Sequence, residues 1–496
     1  MPTLEANIER ARRIRLPGAA IIDGQPRQAL SGATFANLSP GDGRRLGEIA
    51  ACQAEDVDAA VIAARKAFAD GRWRNRPARE KKRVLLDLAD LLEANLEELA
   101  FLETLDTGKP ISDATSSDIP AAVATFRYYA EALDKIYGEV GPPNPGRLSY
   151  ALHEPLGVIG AIVPWNFPLH MAAWKVAPAL AMGNSVVLKP AEQSTMTAIR
   201  LGELALEAGL PAGVLNIVPG LGLEAGDALA RHMDVDMISF TGSGRVGRSL
   251  MRASGDSNLK RVSLELGGKS PQIIFPDCPD MEGAAFAAAW GIFFNQGQVC
   301  SSASRLLVHR DIKDDFLAKV IEIGRGIRPG NPLSPDTRFG AIVSKAQMDT
   351  ILRYIDTANG EGAECLLGGQ RVLEESGGFY IEPTIFGKVG PSHAIAREEI
   401  FGPVLSVLEF TTEEEAFGLA NGTEYGLAAG CWTADVNRAN RAAQALHAGL
   451  VWINAWDACD ITMPFGGFKQ SGFGRDRSLH ALEKYADLKA VTFAFG

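Results

Sequence analysis

A chain of 496 residues is too long for one hydrophobic core of ordinary size and implies two to four structural units. Its 46% hydrophobic and 22% charged residues are those of an ordinary globular protein. The balance of 49 Lys plus Arg against 60 Asp plus Glu, net −11, excludes a phosphate-backbone binder, and no run of about eighteen apolar residues offers a bilayer span. Neither nucleic acid nor a membrane is therefore an expected partner.

The N-terminal MPTLEANIERARRIRL carries Glu5 and Glu9 and lacks an apolar signal core, which points to the cytoplasm. A helical region follows, in VDAAVIAARKAFA and KKRVLLDLADLLEANLEELAFLETL, where apolar residues recur at helical spacing. EVGPPNPGRLSY interrupts it with Pro and Gly. From about residue 156, β-branched runs alternate with helical stretches: GVIGAIV, SVVLK, VLNIV, DMISF and RVSLE are the strands. Strict alternation implies crossover connections and a parallel sheet covered on both faces. After Gly267 the pattern restarts with PQIIF, an Ala-rich helix near 281–294 and SRLLVH. It continues through IFGPVLSVLEF, GLAAGCWT and LVWINA. The chain ends on an apolar strand, KAVTFAF, an edge in search of a neighbour. The six cysteines are scattered, none in CxxC or near-His spacing, so no metal site is expected.

Gly242-Ser243-Gly244-Arg245-Val246-Gly247 reads as G-x-G-x-x-G directly after the strand DMISF and opening a helix. Glycines there let the backbone approach a pyrophosphate at the helix N-terminus. The motif alone would assign the acid at the end of the next strand, Glu265, to the adenosine ribose.

Three segments carry chemistry: Pro164-Trp165-Asn166-Phe167-Pro168, Leu264-Glu265-Leu266-Gly267-Gly268-Lys269-Ser270-Pro271, and Phe293-Phe294-Asn295-Gln296-Gly297-Gln298-Val299-Cys300. Together with SVVLKPAE, REEIFGPV and MPFGGFKQSG, in this order over nearly the whole chain, they closely resemble the aldehyde dehydrogenase superfamily. The resemblance implies an α/β fold of two doubly wound domains, a Rossmann-like cofactor domain and a catalytic domain, plus a small β oligomerisation projection. The boundaries expected are 1–135 and 155–266 for NAD binding, 267–479 for catalysis, and 136–154 with 480–496 for a homodimer or dimer of dimers.

The implied roles make physical sense. Cys300 is the nucleophile, because a soft thiolate adds to an aldehyde and leaves as a thioester's sulfur. The amide of Asn166 and the backbone N–H of Cys300 stabilise the oxyanion. Glu265 becomes the base that activates the hydrolytic water and helps to keep Cys300 deprotonated, its pKa raised by an apolar pocket. That role displaces the ribose reading. Lys175 matches a family lysine near the catalytic centre, against an equal alternative as a solvated helix charge.

The cofactor implied is NAD, with NADP weaker. The ribose falls to Lys189 and Glu192, where a carboxylate accepts from ribose hydroxyls and repels a 2′-phosphate. Gly242 and Ser243 meet the pyrophosphate, although Gly244 stands where the family usually has Thr or a charged residue. Glu399 holds the nicotinamide ribose, Phe401 packs beneath it, and Trp165 and Leu266 complete the cofactor contacts.

By family position, Phe167, Met171, Trp174 and Phe294 begin an aromatic substrate tunnel, and Trp456, Cys459 and Phe465 continue it. Asp457 and Asp460 interrupt this surface and suit a cationic substrate tail, or are simply solvated. ETLDTGKPISDA, AEALDKIYGEV and GRDRSLHALEKYADLKA are similar to the bacterial ω-aminoaldehyde dehydrogenases, which act on γ-glutamyl-γ-aminobutyraldehyde and 4-guanidinobutyraldehyde. Relatives in that subgroup oxidise 3-hydroxypropionaldehyde, betaine aldehyde or indole-3-acetaldehyde, so a broad-specificity enzyme is the alternative. A CoA-acylating enzyme typically lacks an acid at the position of Glu265. A cofactor-free thiol esterase and a non-catalytic binding protein are the remaining readings.

Overall fold

The computed structural model describes residues 3–458 and 460–495. Its first sheet is built from the runs read above. Leu215–Ile217, Ser185–Lys189, Val158–Ile162, Met237–Thr241 and Arg261–Glu265 lie side by side in that order, all parallel. Val158–Ile162, Ser185–Lys189 and Met237–Thr241 are buried along their whole length. That is why they read as continuous apolar runs rather than as alternating ones, since crossover helices cover both faces. Pro168–Ala181, Met196–Glu207 and Gly244–Gly255 supply the crossovers.

Both edges of this sheet are finished by pieces from elsewhere. The hairpin Ala20–Ile22 and Gln25–Arg27 joins antiparallel through Ile21 and Ile217. At the far edge Gly472–Phe473 pairs antiparallel with Leu264 and Glu265, although this segment was expected with the second unit. The helices Ala78–Ala94, Leu96–Thr107 and Ile119–Ala132 bury Leu85, Leu88, Leu102 and Phe126 against the helix Pro168–Ala181.

The second sheet runs Glu364–Leu367, Thr384–Gly387, Val404–Phe410, Arg305–His309, Pro271–Ile274, Ala428–Trp432 and Leu450–Ile453. Its pairs are parallel except at the Glu364–Leu367 edge. A third, antiparallel sheet brings together Glu139–Val140, Arg147–Pro155 and Ala486–Ala494, in register from Ala486 with Pro155 to Ala494 with Arg147. The orphan C-terminal strand thus finds its neighbour within the chain, in the Pro/Gly-rich interruption that fitted neither large unit. Among the described residues no helix is long and apolar enough to cross a membrane.

Candidate active site

Parallel strands deliver their C-terminal ends to one crevice, where an open α/β sheet binds its ligands. Ile162 leads into Val163-Pro164-Trp165-Asn166, Thr241 into Gly242 and Ser243, and its register partner Glu265 into Leu266 and Gly267. A cavity of about 700 Å³ opens there, and Asn166, Glu265 and Cys300 all line it.

Cys300 arrives on a turn the backbone does not adopt freely. After the helix Met281–Phe293, Asn295 (φ 47°), Gln296 (φ 54°) and Gly297 (φ 70°) are successively left-handed. For side-chain-bearing residues this costs on the order of 1 kcal/mol or more each and persists only where the surroundings enforce it. At Gly297 a Cβ would stand 2.2 Å from the carbonyl oxygen of Gly402. Asn295 Nδ2 donates to Asn166 O at 3.0 Å, and Asn166 Nδ2 donates to Gln298 O at 2.9 Å.

The thiol itself differs from expectation. Burial, with the carboxylates of Glu399 and Glu265 nearby, pushes the Cys300 pKa up to about 12. Cys300 therefore rests as a thiol, and Glu265 opposes its ionisation by charge instead of maintaining it. Ionisation requires a base to take the proton.

Glu265 has the character of such a base. It is 2% exposed, and among the described residues neither carboxyl oxygen has a hydrogen-bond partner. Desolvation raises its pKa well above the ordinary value, Asp476 adds to the rise, and Lys175, Lys484 and Arg475 oppose it. Lys175 is neither a solvated charge nor part of the cavity wall. It is fully buried, and its Nζ donates to Asp476 Oδ2 at 2.6 Å. Lys484 donates to the other oxygen of Asp476, whose pKa is lowered by the two lysines against burial. Lys175 thus acts on Glu265 through the field of an ion cluster and not as a group facing substrate.

Gly242, Ser243, Leu266, Glu399, Phe401 and Trp165 line the same cavity. Ser243 caps the helix Gly244–Gly255, its Oγ accepting from Val246 N, so an N-terminus with its positive end faces the opening. Glu399 Oε1 accepts from Gly268 N at 3.0 Å, and burial raises its pKa to about 7. A Cβ at Gly267 would lie 1.8 Å from Glu399 Oε2, so glycine is what lets the carboxylate close on this loop. Trp165 meets Phe401 edge-to-face at 5.1 Å. A helix N-terminus, a carboxylate and flanking rings fit a dinucleotide. Lys189 and Glu192 stand outside this lining. Lys189 is buried, donating to Pro190 O at 2.8 Å and to Glu192 at 3.5 Å, beside the turn Gly222–Gly226.

The sequence profile of the aldehyde dehydrogenase family matches residues 28–491. The chain belongs to that family. It is 49% identical over 483 residues to the NADP/NAD-dependent aldehyde dehydrogenase PuuC of Escherichia coli K12, covering 97% of each chain. Among solved structures it is similar to an indole-3-acetaldehyde dehydrogenase complexed with NAD+, at TM-score 0.99 and 52% identity over 100% of both chains. It is also similar to the γ-glutamyl-γ-aminobutyraldehyde dehydrogenase of Burkholderia cenocepacia J2315, at TM-score 0.98 and 52% identity over 100% of both chains. Aldehyde oxidation, the activity read from the sequence, is the family's.

For a member of this family the substrate side departs from the sequence reading at several points. Phe167, Met171, Trp174, Phe294 and Phe465 line the cavity, with Phe167 stacked on Phe294 at 6.2 Å and Trp174 against Phe465 at 4.9 Å. Trp456 does not line it. That ring packs on Trp452 at 4.9 Å and close to Gly291, where the glycine leaves it room. Cys459 lies outside the described residues. Asp457 and Asp460 do line the cavity, but Arg477 lines it too, its guanidinium 5.5 Å from the centre of the Trp174 ring. Arg477 partly counters the desolvation that raises the Asp457 pKa. Sequence reasoning passed over Arg477, Asp476 and His170. His170 carried a local signal, four residues before Trp174 on one helix face. The other two lie in GRDRSLHALEKYADLKA, far along the chain from Glu265, where only the resemblance and no local chemistry pointed to them.

Proposed function

We propose that this enzyme oxidises an aldehyde to its carboxylic acid with NAD as hydride acceptor, in the cytoplasm, through a thioester on Cys300. What supports the reading is the convergence of Cys300, Asn166 and an unpartnered, desolvated Glu265 on one cavity. Ionised Glu265 takes the Cys300 proton as the sulfur adds to the aldehyde carbon, giving a thiohemiacetal whose oxyanion Asn166 Nδ2 and the Cys300 N–H stabilise. NAD bound in this cavity would supply the acceptor for the hydride lost from that carbon as the carbonyl re-forms. Once Glu265 has passed that proton to solvent, it takes a proton from a water that attacks the thioester carbon. The C–S bond breaks to release the acid, and Glu265 returns the proton to the Cys300 thiolate. Glu399, Gly242, Ser243, Leu266, Trp165 and Phe401 would hold the dinucleotide, with Lys189 and Glu192 at the ribose. Because Lys189 is engaged by Pro190 O and Glu192, it is poorly placed for a 2′-phosphate, which favours NAD over NADP.

The substrate is an aldehyde with a polar or cationic ω-group, in line with Asp457 and Asp460 and with the aminoaldehyde named for the Burkholderia structure. Stacked Phe167 and Phe294 favour a second, broader reading that includes aryl aldehydes such as the indole compound named for the other structure. An aldehyde panel with NAD and NADP, followed by reduced-cofactor absorbance and ranked by kcat/KM, tests both. Ester hydrolysis without reduced-cofactor formation would favour a thiol esterase, and acyl-CoA formation would favour CoA acylation. Cys300→Ser should abolish turnover while dinucleotide binding survives. The paired strands Arg147–Pro155 and Ala486–Ala494 carry exposed Leu148, Leu152, Leu488 and Phe493, the surface through which copies of this chain would assemble.

A further inference from the structure

One polar ring in the aromatic tunnel is left without work by the proposed chemistry. His170 sits in the first turn of the helix Pro168–Ala181, half-buried and lining the cavity. Trp174 Nε1 donates to His170 Nε2 at 2.8 Å, the rings meeting edge-to-face with centroids 5.0 Å apart. An indole N–H only donates, so His170 Nε2 accepts and holds no proton. A neutral imidazole then carries its single proton on Nδ1. Burial, with Arg477 and Lys109 nearby, holds the pKa of the ring down to about 3, so the ring stays neutral at physiological pH. Among the described residues Trp174 supplies the one hydrogen bond this ring makes, and Nδ1–H has no acceptor.

Trp174 thereby fixes both the tautomer and the orientation of the ring. The rings and chains around it, Phe167, Met171, Trp174, Phe294 and Phe465, offer a substrate chain no acceptor or donor beyond the Trp174 N–H already spent on His170. The polar groups of the same cavity there are Ser117, Thr125, Arg477, Asp457 and Asp460. A donor held in such a wall selects for an acceptor atom. It also disfavours an ammonium at the same depth, because two donors would face each other beside the guanidinium of Arg477.

We propose that His170 is a specificity-determining residue whose Nδ1–H donates to an amide carbonyl oxygen carried on the chain of the aldehyde. This deepens the aldehyde dehydrogenase reading and rests on it. The carboxylates of Asp457 and Asp460, both exposed, face whatever lies beyond the amide, with Asp460 Oδ1 accepting from Thr462 N at 2.7 Å.

The test compares N-acetylated ω-aminoaldehydes of three chain lengths with heptanal, which matches 4-acetamidobutanal in length, and with 6-oxoheptanal, which keeps a carbonyl but no amide N–H. In the unaltered enzyme one amide length and the oxo compound should exceed heptanal in kcat/KM. His170→Leu should lower the ratio of amide to heptanal about tenfold, the scale of one hydrogen bond in a site closed to water. His170→Gln, which can accept from Trp174 and still donate, should restore most of the ratio. The proposal is overturned if the unaltered enzyme treats all three chain types alike, if His170→Leu leaves the ratio within twofold, or if Gln is no better than Leu. Absence of NADH formation from every aldehyde, heptanal included, would refute the underlying activity.

Discussion

Asn166 and Gln298 are joined by a 2.9 Å hydrogen bond from the side-chain amide of the first to the main-chain carbonyl of the second. With the return bond from Asn295 to Asn166 O, the proposed oxyanion donor and the strained cysteine turn form one unit. Asn166→Ala should cut kcat by about 10²–10³, the usual cost of one oxyanion donor. It should also lower Tm, since it leaves the Gln298 carbonyl with only the longer 3.3 Å bond from Asn295 Nδ2. Dinucleotide affinity, measured by fluorescence titration, should change little.

Glu265 holds its proton more tightly in the folded chain than in the unfolded one, since burial raises its pKa. Its contribution to stability is therefore present below the ordinary carboxylate range and is lost as pH rises through the raised value. Glu265→Gln removes that loss, so its Tm advantage over the natural chain should widen with increasing pH. Activity runs the other way. The natural enzyme should gain kcat as Glu265 ionises, and the Gln variant should lose about 10²–10⁴ in kcat together with that rising limb. A large rise in KM for NAD with kcat preserved would instead return Glu265 to the ribose.

A methyl group at position 267 would fall on Glu399 Oε2. Gly267→Ala should swing the carboxylate away from Gly268 N and cost about a hundredfold in kcat/KM, the penalty for a misplacement near 1 Å. KM for NAD should rise alongside. Calorimetric binding of NAD that matches the natural enzyme would remove Glu399 from the cofactor site.

The mouth acids are tested by charge. Asp457→Asn with Asp460→Asn should raise KM for amino- and guanidino-aldehydes far more than for hexanal. Equal effects on all three would leave Arg477 to neutralise this rim and remove the cationic-tail reading.

Leu488 is 61% exposed on the C-terminal strand. Leu488→Asp should shift the mass measured by light scattering toward the single chain without disturbing the pairing within the third sheet, which is made by backbone.

Much of the first sheet was visible in the sequence because its strands are buried on both faces and their turns carry glycine. The hairpin at Ala20–Arg27 was not, because its three-residue strands are too short to show a period. The stretch LEAGDALARH is helical, as its composition suggests, opening with the π-helical turn Gly222–Gly226 and continuing as the α-helix Asp227–Arg231. Cys300, Asn166 and Glu265 were legible because each lies in a motif whose neighbours also act locally. Lys175 was legible as a residue but not as a role, since its partner Asp476 lies 301 positions away. Trp456 was placed in the tunnel by family position, but its neighbours Trp452 and Gly291 draw it behind the wall.

The short strand Gly472–Phe473 closes the edge on which Glu265 sits, and Ser471 adds a carbonyl for Leu266 N at 2.9 Å. The strand that ends in Glu265 is therefore completed by a segment from far along the sequence. A chain cut back to residue 460 would leave that edge without its antiparallel partner. Removal of residues 461–496 should therefore disturb the surroundings of Glu265 even though Cys300 and Asn166 lie before the cut.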